Sequence, residues 1–260
     1  MQFAYLSESV TIKKVSETDT EGVFEIEGLY SGYGITVGNS LRRVLFSSLP
    51  GAAITQFKVK SVQHQFSTIP NVAEDVVEIG LNLKKVRFRV HTDEPQVLTL
   101  KVKGEKEVTA ANIEINSQIE VINPGVKIAT LTNKSAELEI ELQVERGLGF
   151  VSVEAKKSEK LPIGTMALDT AFSPVIKANF SVENMRVGER TDYNRLIVSI
   201  TTDGSITPSA ALHKASNILK DHFDRISNIE VKEPEIKPAE AELKVKKTVK
   251  TKKKAAKKKK

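Results

Sequence analysis

The stretch GYGITVGNSLRRVLFSSLPG, residues 32–51, decides how the rest of the chain is read. Gly32, Gly34 and Gly38 precede an amphipathic run, as glycines do in loops that cradle a phosphate. The spacings argue otherwise. A P-loop needs G-x-x-x-x-G-K-[ST], whose lysine neutralises phosphate charge, but Asn39 and Ser40 follow Gly38. The dinucleotide fingerprint G-x-G-x-x-G needs a glycine where Val37 stands. The glycines therefore read as a tight turn that swings a strand into a helix. That helix is predicted from about Thr36 to Leu49, with Pro50–Gly51 as its stop.

The helix has two stripes. Val37, Leu41, Val44, Leu45 and Ser48 make one that is largely apolar, and Asn39, Arg42, Arg43 and Phe46 make another. Spacing leaves two readings of the second stripe level. Its arginines either stay in water or form, with the aromatic, an anchor at a protein interface.

Outward from this helix the chain reads mostly as strand. ELEIELQVE (137–145) alternates strictly, with Leu138, Ile140, Leu142 and Val144 on one face, the mark of a half-buried antiparallel strand. KVRFRV (85–90), with its basic residues outward, VLTLKV (97–102), NIEI (113–116) and QIEVI (118–122) follow the same rule. FEIEGL (24–29) and RLIVSITT (195–202) are further strands, and turns fall at Asp93–Pro95, Lys103–Glu105, Asn123–Gly125 and Asn133–Ser135. A short helix is predicted over about Glu74–Leu83, and a long one from Thr207–Pro208 to about Asn228. In the long helix Leu212, Ala215, Leu219, His222, Ile226 and Ile229 form a heptad seam. Ala211, Ile218 and Phe223 add a second row. The helix is either a simple core helix or one that packs on its own sheet and on another helix. The order of elements suits an α+β architecture.

A chain of 260 residues can bury a large core, and the absence of cysteine excludes disulfides, thiolate nucleophiles and Cys-based metal sites. No run approaches the roughly 20 apolar residues of a membrane span, and MQFAYLSESVTIKK lacks the layout of a secretion signal. A cytoplasmic location without membrane contact is expected. The whole-chain charge of +6 hides an asymmetry, because residues 231–260 hold 13 lysines against 4 glutamates. The body is slightly acidic, and the terminal segment, ending in KKKAAKKKK, is expected to be disordered. His64, His91, His213 and His222 form no ligand spacing, and no serine sits in G-x-S-x-G. Neighbouring Glu74 and Asp75 diverge on a helix. No catalytic, cofactor-binding or metal-binding residue is expected, and no cofactor.

Five stretches carry a resemblance. GYGITVGNSLRRVLFSSLPG (32–51), VQHQFSTIPNVAEDVVEIGLNLK (62–84), ERGLGFV (145–151), LPIGTMALDTAFSPV (161–175) and VGERTDYNRLIVSITTDGSITPSAAL (187–212) occur in order across most of residues 1–230. The chain resembles the amino-terminal region of the bacterial-type DNA-directed RNA polymerase alpha subunit. The resemblance implies a discontinuous α+β dimerisation domain, residues 1–50 and 172–231, with a β-rich domain inserted at 51–171 and a basic tail at 232–260. It implies a non-catalytic subunit of a nucleotidyltransferase complex, a homodimer on which the two large catalytic subunits assemble for transcription. DNA would be engaged through the assembled complex.

The resemblance also implies three surfaces. Asn39, Arg43 and Phe46, with His64, Ser67 and Thr68, would face the second-largest subunit. Leu168, Ser173, Pro174 and Val175, with Val187, Arg190 and Thr191, would face the largest. Tyr33, Leu41, Leu45, Leu212, Ala215, Leu219, Phe223 and Ile226 would face the second copy. Nothing in this sequence is expected to fold into the family's usual carboxy-terminal DNA-binding domain. Lys252, Lys253, Lys254, Lys257, Lys258, Lys259 and Lys260 form a candidate nucleic-acid tail that would displace counterions from phosphates without reading bases. The alternative function is a stand-alone nucleic-acid-binding protein acting through that tail.

Overall fold

A computed structural model describes residues 10–156 and 162–229. Strands β1 (Thr11–Glu17) and β2 (Glu21–Leu29) lead into helix α1 (Tyr33–Ser47). Strand β3 (Pro50–Val59) is followed by helix α2 (Val76–Leu83) and by β4 (Phe88–Val90), β5 (Gln96–Lys103), β6 (Lys106–Thr109) and β7 (Ile113–Glu114). Then come β8 (Ile119–Val121), β9 (Lys127–Leu131), β10 (Glu137–Leu148) and β11 (Phe150–Val151). Last are β12 (Thr165–Ala167), β13 (Thr170–Ala171), β14 (Val175–Val187), β15 (Arg190–Thr202) and helix α3 (Pro208–Ser227). The architecture is α+β, with antiparallel sheets. Residues up to His222 belong to one compact unit and Phe223 begins another. None of the described helices is long and apolar enough to cross a membrane.

Two hydrophobic clusters organise the first unit. The larger gathers the seven-stranded sheet, ordered β7-β5-β10-β3-β4-β8 with β12 also paired to β3, together with α2. Strand β10 lies at its middle, and Leu138, Ile140, Leu142 and Val144 point into the core, as their alternation requires. The smaller cluster joins the four-stranded sheet β1-β2-β15-β14 to α1 and the first turns of α3. Phe24, Ile26, Leu196, Val198 and Ile200 from the sheet meet Leu41, Leu45, Leu49, Ala211, Leu212 and Ala215.

Several elements differ from the sequence expectation. Helix α1 begins at Tyr33, so Gly34 and Gly38 lie inside the helix, and only Gly32, at φ 85, makes the turn. The internal glycines serve close packing. A Cβ on Gly38 would stand 2.6 Å from the Phe180 ring, and one on Gly34 would stand 2.7 Å from Val182 Cγ1. Helix α2 starts at Val76 because Asp75 is its cap, accepting from the Glu78 amide at 2.7 Å. Only Phe88–Val90 of 85–90 and Ile113–Glu114 of 113–116 are strand. Strands β1 and β14 are sheet edges; β1 has no regular apolar face, and β14 alternates only over Ala178, Phe180 and Val182, so they give little alternation to read.

The two clusters are stitched together at two places. Phe172 lies over Gly147 and Gly51, and its amide donates to the Gly149 carbonyl at 2.8 Å. Arg89, expected to face outward, is partly exposed but committed within the chain. It donates to the carbonyls of Gly204 and Ser205 at 3.1 Å each and to Glu120 at 2.7 Å. A Cβ on Gly51 would run into the Phe172 carbonyl, a backbone atom that cannot swing aside. Gly51→Ala is therefore expected to destabilise the chain by about 3 kcal/mol. The check is a lower midpoint in urea at an unchanged m-value.

Candidate interaction surfaces

The outward stripe of α1 is where sequence expectation and geometry meet. Arg42, Arg43 and Phe46 are exposed on it, Phe46 by 39%, and Asn39 is half-buried. The two arginines differ in their commitments. Arg42 donates to Asn39 Oδ1 at 3.2 Å and stacks 5.3 Å from the Phe180 ring centroid. The Arg43 guanidinium has no hydrogen-bond or ion-pair partner among the described residues. A rigid fork of donors is thus left for a partner beside an exposed ring.

The amino end of α1 is not an anion site. Asn194, buried on β15, uses Oδ1 to accept from the amides of Gly32 at 2.9 Å and Gly34 at 3.4 Å. Its own Nδ2 donates to Asn184 at 3.3 Å. A side chain 160 residues away in sequence fills the place a phosphate would take. Sequence reasoning missed it, because a cap supplied by a distant strand leaves no local pattern.

Helix α3 is anchored in the same way. Thr207 and Pro208 open it as predicted, but Glu17 of β1 also accepts from the Ser209 amide at 2.8 Å and from the Ser209 hydroxyl. Along the helix burial falls off. Ala211, Leu212 and Ala215 are buried, Ile218 and Leu219 are half-buried, and Phe223, Ile226 and Ile229 are 61%, 59% and 66% exposed.

This gradient divides the residues expected at the dimer surface. Leu41, Leu45, Leu212 and Ala215 are buried in the smaller core. Tyr33, Leu219, Phe223 and Ile226 keep exposed area. The residues of the surface drawn from 168–175 lie largely inside the chain. Leu168 belongs to the larger core, Val175 to the smaller, and Pro174 is buried; half-buried Ser173 spends its hydroxyl on the Val175 backbone.

At the tip of the β14–β15 hairpin Val187 pairs with Arg190 across a two-residue turn in which Gly188 takes φ 61. Arg190 and Thr191 are exposed there. His64, Ser67 and Thr68 form a separate turn between β3 and α2, where the Ser67 hydroxyl lies 3.1 Å from His64 Nδ1. No hydrogen bond or ion pair among the described residues joins that turn to Asn39, Arg43 or Phe46. The Ser67 carbonyl accepts from the Val76 amide at 3.4 Å, and just before α2 Glu74, a buried carboxylate, accepts from the Thr130 amide at 2.6 Å and hydroxyl at 2.9 Å and pairs with Lys127 at 3.1 Å. Burial raises its pKa, and the Thr130 and Lys127 bonds outweigh that and lower it. The lysines from 252 to 260 lie outside the described residues.

The comparisons with known proteins agree on one family. The RNA polymerase Rpb3/RpoA insert domain family matches residues 54–173. The chain is 42% identical over 229 residues to the DNA-directed RNA polymerase subunit alpha of Alkaliphilus oremlandii, covering 85% of this chain and 72% of that one. The chain belongs to the DNA-directed RNA polymerase alpha subunit family. The alpha subunit of Symbiobacterium thermophilum is 46% identical over 210 residues, 81% of this chain and 66% of that one. That of Moorella thermoacetica is 48% identical over 205 residues, 79% of this chain and 65% of that one. Against these last two relatives the match spans slightly less than two thirds of their length.

The Glu17 anchor carries a pH signature. Its bonds to Ser209 and Lys14 hold the carboxyl at about 2, below the ordinary 4.5. A depressed carboxylate gives stability that is complete above about pH 4.5 and is lost as pH falls towards 2. Glu17→Gln should therefore be less stable than wild type by a constant margin above pH 4.5, and the margin should shrink between pH 4.5 and 2. Denaturant midpoints measured across that range check it.

Proposed function

We propose that the chain is the assembly scaffold of a bacterial-type RNA polymerase, working in the cytoplasm as a homodimer that receives the two large catalytic subunits. One observation carries the pairing. The second half of α3 presents Phe223 and Ile226, and Ile229 follows just beyond its end, with more than half of each exposed, on a helix whose first half is a core element. Large apolar side chains repeated at helical spacing and left in water mark an interaction surface. A second copy supplies the same row, which is how a two-fold interface complements itself.

The domain assignment in this reading is residues 1–50 and 172–231 for the pairing body and 51–171 for the insert, with 232–260 as a basic tail. It is supported by the match over 54–173 and by the two separate cores. Asn39, Arg43 and Phe46, with the turn at His64, Ser67 and Thr68, receive the second-largest subunit. The hairpin tip at Val187, Arg190 and Thr191, with Ser173, receives the largest. DNA is reached through the assembled complex, and nucleotidyl transfer belongs to the partners. The polymerase reading takes precedence over a stand-alone nucleic-acid binder because the matched relatives cover the acidic body, 79–85% of the chain, and not merely a basic run.

Arg43→Ala should leave the dimer intact and weaken capture of the purified second-largest subunit by about thirtyfold, the loss of roughly 2 kcal/mol at an interface anchor. Unimpaired capture in a pull-down would remove the role of that residue. Phe223→Lys combined with Ile226→Lys should give a folded monomer by sedimentation velocity. A dimer that survives both changes would refute pairing through α3.

A further inference from the structure

The tip of the β14–β15 hairpin holds a cation between two aromatic rings, and the docking proposal leaves those rings without a task. The Arg190 guanidinium carbon lies 5.0 Å from the Tyr30 ring centroid and 5.5 Å from that of Tyr193. Its Nε and Nη2 donate to the two carboxylate oxygens of Asp192 at 3.1 and 2.7 Å, and Nη2 lies 3.5 Å from the Tyr30 hydroxyl. The rings themselves are linked. Tyr30 meets Tyr193 edge to face at 5.9 Å and meets Tyr33, the first residue of α1, at 6.4 Å. A continuous set of contacts thus runs from the hairpin tip to the start of α1.

The topology explains why such a staple is needed. Asn194 on β15 pairs with Leu29, the last residue of β2. Beyond that pair the β14–β15 ribbon has no third strand, and a two-stranded ribbon is marginal in water. Cation–π contact and a two-pronged ion pair supply what a third strand would have given. Arginine suits the place because its flat face covers rings while its edge meets a carboxylate. A guanidinium spent in this way is poorly placed to reach into a partner.

We propose that Tyr30 and Tyr193 are positioning residues, which clamp Arg190 and hold the hairpin tip against the β2–α1 turn so that Val187 and Thr191 meet the largest polymerase subunit in a pre-set geometry. This rests on the docking of that subunit at the hairpin tip. Arg190 acts through the rings, and its removal loosens the tip more than it deletes a contact.

The test is capture of the purified largest subunit by the tagged full chain, from a mixture of both large subunits. Arg190→Ala, Tyr193→Leu and Tyr30→Leu should each weaken capture by roughly tenfold. Tyr193→Phe keeps the ring and should behave as wild type. The Arg190→Ala/Tyr193→Leu double variant should be no weaker than Arg190→Ala, since both changes remove one unit. The chain has four tyrosines and no tryptophan, so its near-ultraviolet circular dichroism reports largely on Tyr30, Tyr33 and Tyr193. That signal should change in Arg190→Ala and stay in Tyr193→Phe. Silent tyrosine-to-leucine variants, or losses that add in the double variant, would overturn the proposal. Val187→Asp and Thr191→Glu separate the two ideas. If they weaken capture while the leucine variants do not, docking stands and the clamp falls; if they leave it unchanged, both fall.

Discussion

The structure depends on how closely α1 approaches its sheet. Gly34 and Gly38 remove the side chains that would hold the helix off Val182 and Phe180, and Asn194 rises from β15 to take its first amides. With one side pressed down, the opposite side has a fixed aspect. Arg42 bends back over Phe180, and Arg43 and Phe46 are left outward. The outward face proposed for docking is therefore a consequence of helix–sheet packing: glycines that look like a ligand loop are spacers that let a helix seat.

A second constraint joins the two cores. Each cluster has its own sheet, and the chain crosses between them at Pro50–Gly51 and again near Phe172. Arg89 ties β4 to the carbonyls just before α3, so the start of that helix is held from the larger core by Arg89 and from β1 by Glu17. Buried carbonyls and helix amides must be satisfied, and long-range side chains satisfy them here at the points where two packed bodies must stay in register.

The carboxylates at these joints are committed to structure. Glu17 caps a helix and Glu74 anchors a loop, while Glu139 is bracketed by Lys60 and Lys101, which hold it at about 2. Each is kept ionised by its partners. Charge in this body sets elements in place, which suits a chain whose proposed work is to present surfaces.

By itself the sequence determined the elements whose pattern is local. The alternation of 137–145, the cap and proline opening α3 and the two stripes of α1 are each written within a few residues, since periods of 2 and 3.6 act at short range. The choice between strand edge and loop for β1 and β14, the partners of Asn194, Glu17, Arg89 and Arg190, and which end of the α3 seam is buried were decided only by tertiary structure. Leu212 and Ile226 stand in one heptad seam and are equally apolar in pattern, yet one is buried and the other 59% exposed. That difference comes from which residues the sheet reaches, and contacts made across 160 positions leave no trace in a local window.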